Sequence, residues 1–238
     1  CRILIYNPWE EFFEQELLPV HQGGHTFFTL QPEPLENPVN RMLKRILDLS
    51  ISLPVVLFVL PLLCLLVKLV QQKQAPGPLL FKQTRSGQRG REFSIYKFRT
   101  MRCGESAAKR EAEQARKEDD RIYPFGRFLR KSSLDEFPQF LNVLLGQMSA
   151  IGPRPHMIEH DSQFSEKVNV YRTRHFIKPG ITGLAQCKGF RGEITDIELI
   201  KERVHYDLEY IRRWSFWLDI WIIFKTATQL IKPPKTAY

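Results

Sequence analysis

From residue 49 to residue 67 the chain reads LSISLPVVLFVLPLLCLLV, without one charged position. A helix of about 20 apolar residues reaches across the hydrocarbon core of a bilayer. A run that is apolar on every face also differs from the one-sided pattern of a soluble core helix. Pro54 and Pro61 interrupt it. A proline inside a helix removes a hydrogen bond and clashes with the carbonyl four residues back, so a kink is predicted at Pro61. Cations flank both ends, with Arg41, Lys44 and Arg45 before and Lys68, Lys73, Lys82 and Arg85 after. Lys and Arg favour the cytoplasmic side of a membrane, so a straight span would strand one cluster outside. A helix that dips in, bends at Pro61 and returns keeps both inside. The pattern predicts a re-entrant membrane helix within residues 41–75.

The remaining pattern is shorter in period. In residues 1–40, CRILIYN reads as a strand and PWEEFFEQELLPV as a short amphipathic helix, followed by the proline-punctuated linker TLQPEPLENP. Residues 76–101 alternate strand-like pieces with turn signals at Pro76-Gly77-Pro78, Ser86-Gly87 and Arg89-Gly90. A charged surface helix is predicted over 105–120, a helix with a buried face over 133–150, a Pro/Gly loop over 177–186 and a charged helix over 194–213. Residues 214–231, WSFWLDIWIIFKTATQLI, carry three tryptophans between Arg212-Arg213 and Lys232. Tryptophans with basic ends fit a helix lying in the membrane interface; packing in a core is the other reading.

Composition narrows the partners without choosing among them. The 238 residues hold 35 Lys+Arg against 26 Asp+Glu, a formal charge of +9. That surplus favours anions: nucleic acid, phosphorylated metabolites or an anionic leaflet. Cys1, Cys64, Cys103 and Cys187 show no ligand spacing and read as reduced thiols. The chain begins at Cys1 with neither an initiator Met nor a signal-peptide pattern, so it is expected to be a piece of a longer protein.

The candidate chemistry lies in SSLDEFPQFLNVLLGQMSAIGPRP, residues 132–155. Ser133-Leu-Asp-Glu136 matches a capping box, in which Ser133 and Glu136 satisfy the free amides of a helix start. The same helix start would keep Asp135 ionised, as a carboxylate nucleophile or Mg²⁺ ligand must be. Both readings stand at this point. Arg127, Arg130 and Lys131 precede the acids, and Arg154 follows between two prolines that hold the backbone extended. Fixing an arginine lowers the entropic cost of gripping a phosphate. Lys97 and Arg99 in YKFRT add cations. Together these residues predict a diphosphate site with a divalent metal. No Walker A, GxGxxG, HExxH or GxSxG pattern occurs.

With KRILDL, GPLLFKQTRSGQRGREFSIYKFRTM, LRKSSLDEFPQFLNVLLGQMSAIGPRP, KPGITGLAQ and YDLEYIRRWSFWLDI in order, the chain resembles the bacterial sugar transferase family from residue 41 to its C-terminus. These are the monotopic phosphoglycosyl transferases, or polyprenyl-phosphate glycosylphosphotransferases. It looks most like the catalytic part of the larger exopolysaccharide and O-antigen initiating enzymes. The resemblance implies transfer of a sugar-1-phosphate from a UDP-sugar to undecaprenyl phosphate, releasing UMP, through a covalent phosphosugar-aspartate intermediate. It implies Asp135 as nucleophile and Mg²⁺ ligand, with Glu136 beside it as a second ligand of Mg²⁺ or as a polar group that orients the aspartate. It implies substrate-binding roles for Lys97, Arg99, Arg130, Arg154 and, in KGFRGE, Arg191. Asp207 and Asp219 fall in family motifs to which no role is assigned. The family's re-entrant helix often breaks at Ser-Pro, whereas here the pair is Leu60-Pro61.

The expected protein is thus α/β but mostly helical, a monotopic membrane-associated catalytic domain. Residues 1–40 would be an N-terminal remnant and linker, 41–75 the re-entrant helix, 76–213 a cytoplasmic catalytic domain, and 214–238 an interfacial helix and tail. It would sit on the cytoplasmic face of the bacterial inner membrane, in contact with lipid, with a homodimer as one assembly. UDP-glucose or UDP-galactose is favoured over N-acetylhexosamines as donor. The alternative is a catalytically degenerate membrane-anchored scaffold or regulator of the same pathway. Nucleic acid is not an expected partner, since no motif for it occurs.

Overall fold

The computed structural model describes residues 17–22, 24–30, 33–103, 119–168, 170–190 and 196–231. Among the described residues the fold is mostly helical with three small two-stranded sheets. The first is an antiparallel hairpin of β1 (Leu17–Gln22) and β2 (His25–Leu30). Residues 17–20 of the helix expected over 8–20 are strand instead, and the rest of that expectation lies outside the described residues. The Gly-Gly pair after Gln22 makes a two-residue hairpin turn available, Gly24 taking φ +78°. The strand expected over CRILIYN lies outside the described residues, as do Arg191 and all but the end of the helix expected over 105–120.

Helix α1 runs from Pro38 to Gln74, 37 residues, and is long and apolar enough to cross a membrane. Asn37 caps it, accepting from the Val39 amide at 2.9 Å. Its irregularity begins before Pro61. It is a π-helical segment, Val55–Val59, lying between Pro54 and Pro61. Pro61 cannot donate to the Leu57 carbonyl, and the backbone before it widens so that the Leu60 amide bonds Val55.

One stripe of α1 is buried at a step of about four: Lys44, Asp48, Ser52, Leu60, Val67 and Gln71. Four exceeds the 3.6 residues of an α-turn, so such a stripe winds around an ideal helix; the wider π turn helps hold it to one side. Both ends of α1 are hydrogen-bonded into one body. Near the start, Lys44 reaches Asp219, Arg45 donates to the Val143 and Leu144 carbonyls, and Asp48 accepts from Ser149 and Ala150. Near the end, Gln71 donates to the Arg99 carbonyl and to Tyr123. The opposite face exposes Met42, Ile46, Leu53, Phe58, Leu62 and Leu66.

The hairpin of β3 (Leu80–Ser86) and β4 (Glu92–Phe98) follows. Its Leu80–Phe98 end packs on Val67 of α1 and on Leu129 of α2 (Pro124–Lys131). The single helix expected over 133–150 is divided. Leu134–Glu136 is one 3₁₀ turn, α3 spans Gln139–Leu144, and β5 (Ser149–Ile151) follows. Pro138 has no amide to carry an α-ladder through. After α4 (Ile158–Lys167), the segment expected as a loop forms β6 (Gly180–Thr182), parallel to β5, and the short α5 (Leu184–Cys187). The charged helix is α6 (Ile197–Arg212), and α7 (Phe216–Ile231) follows. The tryptophans at its start divide between the two readings: Trp214 is buried and donates to Asp219, while Trp217 is 75 % exposed.

Candidate active site

Three backbone features bring the site together. Helix α2 ends at Lys131, and Ser133 then takes a left-handed conformation, φ 56°. That turn redirects the chain so that Asp135 and Glu136 follow in the 3₁₀ turn. Ser133 makes no side-chain cap, so the capping box read from the sequence does not form. Strand β4 presents Lys97 on the adjoining side. The third feature is the pairing of β5 with β6 just before Arg154. There Gly152 donates to the Thr182 carbonyl at 2.8 Å and Gly180 to the Pro153 carbonyl at 2.9 Å. A Cβ on Gly180 would collide with the Gly152 nitrogen, so this approach requires glycine.

Glu136 is clamped. Lys97 Nζ donates to its Oε1 at 2.8 Å, Arg154 Nη2 donates to the same oxygen at 2.6 Å, and Arg154 Nη1 reaches Oε2 at 3.2 Å. Burial alone would raise the Glu136 carboxyl, but Arg154 and then Lys97 overturn it and hold the group well below the usual carboxylate range. Asp135 is the opposite case. Its carboxylate accepts no hydrogen bond from any described residue, and part of its surface stays open. Crowding by the protein pushes it up to about 6, with Glu136 adding to the rise and Lys97, Arg130 and Arg154 opposing it.

Of the other expected site residues, Arg130 donates through Nε to Thr100 Oγ1 at 2.8 Å and adds positive charge near Asp135. Arg99 departs from expectation. Its Nε, Nη1 and Nη2 go to the carbonyls of Pro78, Met101 and Ala75 at 2.8, 2.6 and 2.5 Å. A buried guanidinium occupied in this way ties down the chain between α1 and β3 and faces away from the carboxylates. Strand β4 ends at Phe98, so the two-residue spacing from Lys97 no longer places Arg99 on the same face.

Sequence reasoning missed the support behind Arg154. Arg174 donates to the Arg154 carbonyl at 2.7 Å and to Asp207 Oδ2 at 2.7 Å. His156 Nδ1 lies 2.6 Å from the Tyr171 hydroxyl, which donates to Asp161. Burial, then Arg174 and Arg203, hold His156 far below its usual value, so it stays neutral. Asp207 and Asp219, left without roles above, are each the buried partner of a cation, Arg174 and Lys44. Asp219 was signalled in the sequence as the one acid of an apolar helix, whereas Asp207, in a charged helix, carried no such signal.

The donor set fits a hard cation. No third acid, histidine or cysteine joins Asp135 and Glu136 among the described residues. Mg²⁺ is commonly held by one or two carboxylates with the rest of its shell from phosphate and water. Asp135 offers two uncommitted oxygens, and Glu136 Oε2 carries only the longer contact.

The profile of the bacterial sugar transferase family matches residues 39–233. A protein of Escherichia coli K12 named UDP-glucose:undecaprenyl-phosphate glucose-1-phosphate transferase is 46 % identical over 205 residues, 86 % of this chain and 43 % of its own. Proteins of the same name from Xanthomonas campestris and Caulobacter vibrioides are 52 % and 42 % identical. They cover 69 % and 90 % of this chain, and 34 % and 79 % of their own. The chain therefore spans less than half the length of the first two of these relatives. A match of this extent, over the segment that builds the Asp135–Glu136 site, makes the chain a member of the bacterial sugar transferase family.

Proposed function

We propose that this chain transfers a sugar-1-phosphate from a UDP-sugar to undecaprenyl phosphate, releasing UMP and starting a surface polysaccharide. The observation that carries the reading is the asymmetry of the two acids: Glu136 gripped by Lys97 and Arg154, Asp135 beside it unbonded and partly open. A nucleophile needs a free lone pair and a fixed neighbour. In the first step an Asp135 oxygen attacks the sugar-linked phosphorus. The bond from that phosphorus to the bridging oxygen breaks, and UMP departs with the electron pair. In the second, a phosphate oxygen of undecaprenyl phosphate attacks the same phosphorus, and the bond to Asp135 breaks. Arg154, fixed through its carbonyl by Arg174, and Lys97 hold the charge that builds on the phosphoryl oxygens. Arg130 adds to that field. Mg²⁺ at Asp135 and Glu136 would supply further neutralisation of the phosphate oxygens. UDP-glucose is the favoured donor, from the names of the relatives.

The placement we propose is re-entrant. A straight helix of 37 residues extends about 55 Å, more than a bilayer's hydrocarbon core, and would leave its ends on opposite sides. Lys44 and Gln71 instead bond to a single body, which supports a helix that enters and leaves on the cytoplasmic face of the inner membrane. The exposed Trp217, Trp221 and Phe224 of α7 support a second, interfacial contact. Residues 41–75 then form the membrane element and 76–213 the catalytic domain.

The test is UMP release by the full chain in detergent, with Mg²⁺, undecaprenyl phosphate and a panel of UDP-sugars. Release with one donor, lost in Asp135→Ala, is expected. Equal release by both proteins would overturn Asp135, and silence across the panel from folded protein would favour a scaffold. For the topology, cysteines introduced at Arg41 and Lys73 are expected to label from the same side.

A further inference from the structure

Arg85 is the unexplained cation of this site. In the β3–β4 register Arg85 faces Phe93 and Phe81 faces Lys97. Residues two apart on a strand share a face, and so do cross-strand partners, which puts Arg85, Gln83 and Lys97 on one side of the hairpin. The only hydrogen bond its side chain makes among the described residues is from Nη2 to Gln83 Oε1, at 2.5 Å. Its Nε is buried without an acceptor among those residues, and no carboxylate forms an ion pair with it. The acids within electrostatic reach are Glu136, Asp161 and Glu159. Glu136 is committed to Lys97 and Arg154, Asp161 accepts from Tyr171, and Glu159 is solvent-exposed. Burial, then the charge of Arg154, pulls the Arg85 pKa down to about 10.

A guanidinium largely out of water with an unmet donor is costly unless something supplies oxygen acceptors. Phosphate does so in the geometry of the guanidinium fork. Ser86 and Gly87, the next residues in the chain, line a narrow cleft with Arg154, Pro155 and His175, which sets this end of the hairpin beside Arg154.

The hairpin's polarity says which phosphate. Its Leu80–Phe98 end packs on Val67 of the apolar helix α1, and Lys97 lies at that end. Arg85 lies four residues further along, about 13 Å at the rise of a strand. A lipid-linked phosphate arrives from the α1 side, and a water-soluble donor from the far side. We infer that Arg85 binds the nucleoside-linked phosphate of the donor, the group that departs as UMP, a role that rests on the reaction proposed above. Arg154 then lies between the phosphate that leaves and the one that is transferred.

The test is calorimetric titration of the full chain in detergent with UMP and with uridine. Arg85→Gln is expected to weaken UMP binding about 10- to 100-fold, the loss of one charge-assisted contact. Uridine binding and the KM for undecaprenyl phosphate should stay within about twofold. Unchanged UMP affinity would overturn the inference. So would equal losses for UMP and uridine, the mark of a structural role, or a rise confined to the lipid KM. Should Arg85→Gln fail to fold, Arg85→Lys keeps the charge and loses the fork. It is expected to weaken UMP alone, by roughly 3- to 10-fold, and wild-type affinity there would be equally fatal. A wild-type chain that binds no UMP would sink the donor reading itself, whereas binding that ignores Arg85 would sink only this assignment.

Discussion

Lys44, Tyr210, Trp214 and Asp219 tie α1 to the C-terminal helices, while Lys97, Arg154, Glu136 and Asp135 meet beside the β3–β4 hairpin; the two clusters differ in how fully their valences are met. In the first, Lys44 donates to Tyr210 and Asp219 at 2.8 and 2.9 Å, Tyr210 donates to Asp219 Oδ1 at 2.7 Å, and Trp214 donates to Oδ2 at 3.1 Å. Asp219 is fully enclosed, and both of its oxygens are used. In the second, Glu136 is equally bound but Asp135 is not. Closed networks hold a fold together, and the cluster with a carboxylate left over is the one equipped for chemistry.

Replacing Asp135 by Asn probes the contrast most strongly. Turnover is expected to fall at least about 10³-fold, roughly 4 kcal/mol of barrier. Stability should move the other way. A carboxyl whose folded pKa is raised weakens the fold as pH climbs from its ordinary value to about 6, a loss complete by pH 7, so removing its charge there should add about 1 kcal/mol after discounting its open side, or about 2–4 °C in Tm. A fall in both would break the comparison.

Asp219→Ala is next. It leaves Lys44 buried without its anion and is expected to cost about 3–5 kcal/mol, read as a loss of Tm with normal turnover per folded molecule. Glu136→Gln should cost less, about 2–3 kcal/mol, because its cations keep some solvent. The pH dependence distinguishes the two acids of the open cluster. Glu136 is depressed, so its contribution is present above about pH 4.5 and lost as pH falls through its folded pKa. Activity should instead fall as pH drops through about 6, where Asp135, the proposed nucleophile, takes up a proton. A rate profile flat down to pH 5 would contradict that assignment. Arg99→Lys is the smallest effect: about 1–2 kcal/mol of stability from lost carbonyl bonds, with nucleotide affinity unchanged.

What the sequence disclosed followed from short-range physics. The apolar run of α1 and the two prolines that disturb it were legible because a bilayer requires length and apolarity alone. Asp135, Glu136 and Arg154 were legible as an unusual pairing of acids with a restrained arginine. The capping box was misread because the Ser133 backbone conformation depends on how α2 ends, which no local motif encodes. Arg99 was misread because charge does not say where a side chain points once β4 has stopped. Arg85 could have been found by parity, since it lies opposite Phe93 on the face of Lys97, but only with the hairpin register in hand. The Arg174–Asp207 support joins residues far apart in the chain and left no local trace.

The buried stripe of α1 has a practical corollary. Val67 lies against Phe98 and Leu129, and Lys44 and Asp48 complete hydrogen bonds deep inside the protein. The greasy segment is thus a wall of the building and not a mooring rope. A chain trimmed to begin after Gln74, in the hope of a water-soluble enzyme, would uncover Phe98 and Leu129 and leave Asp219 facing no cation. The packing of the folded body and its exposed apolar face are specified by the same stretch of sequence, and one cannot be cut away to keep the other.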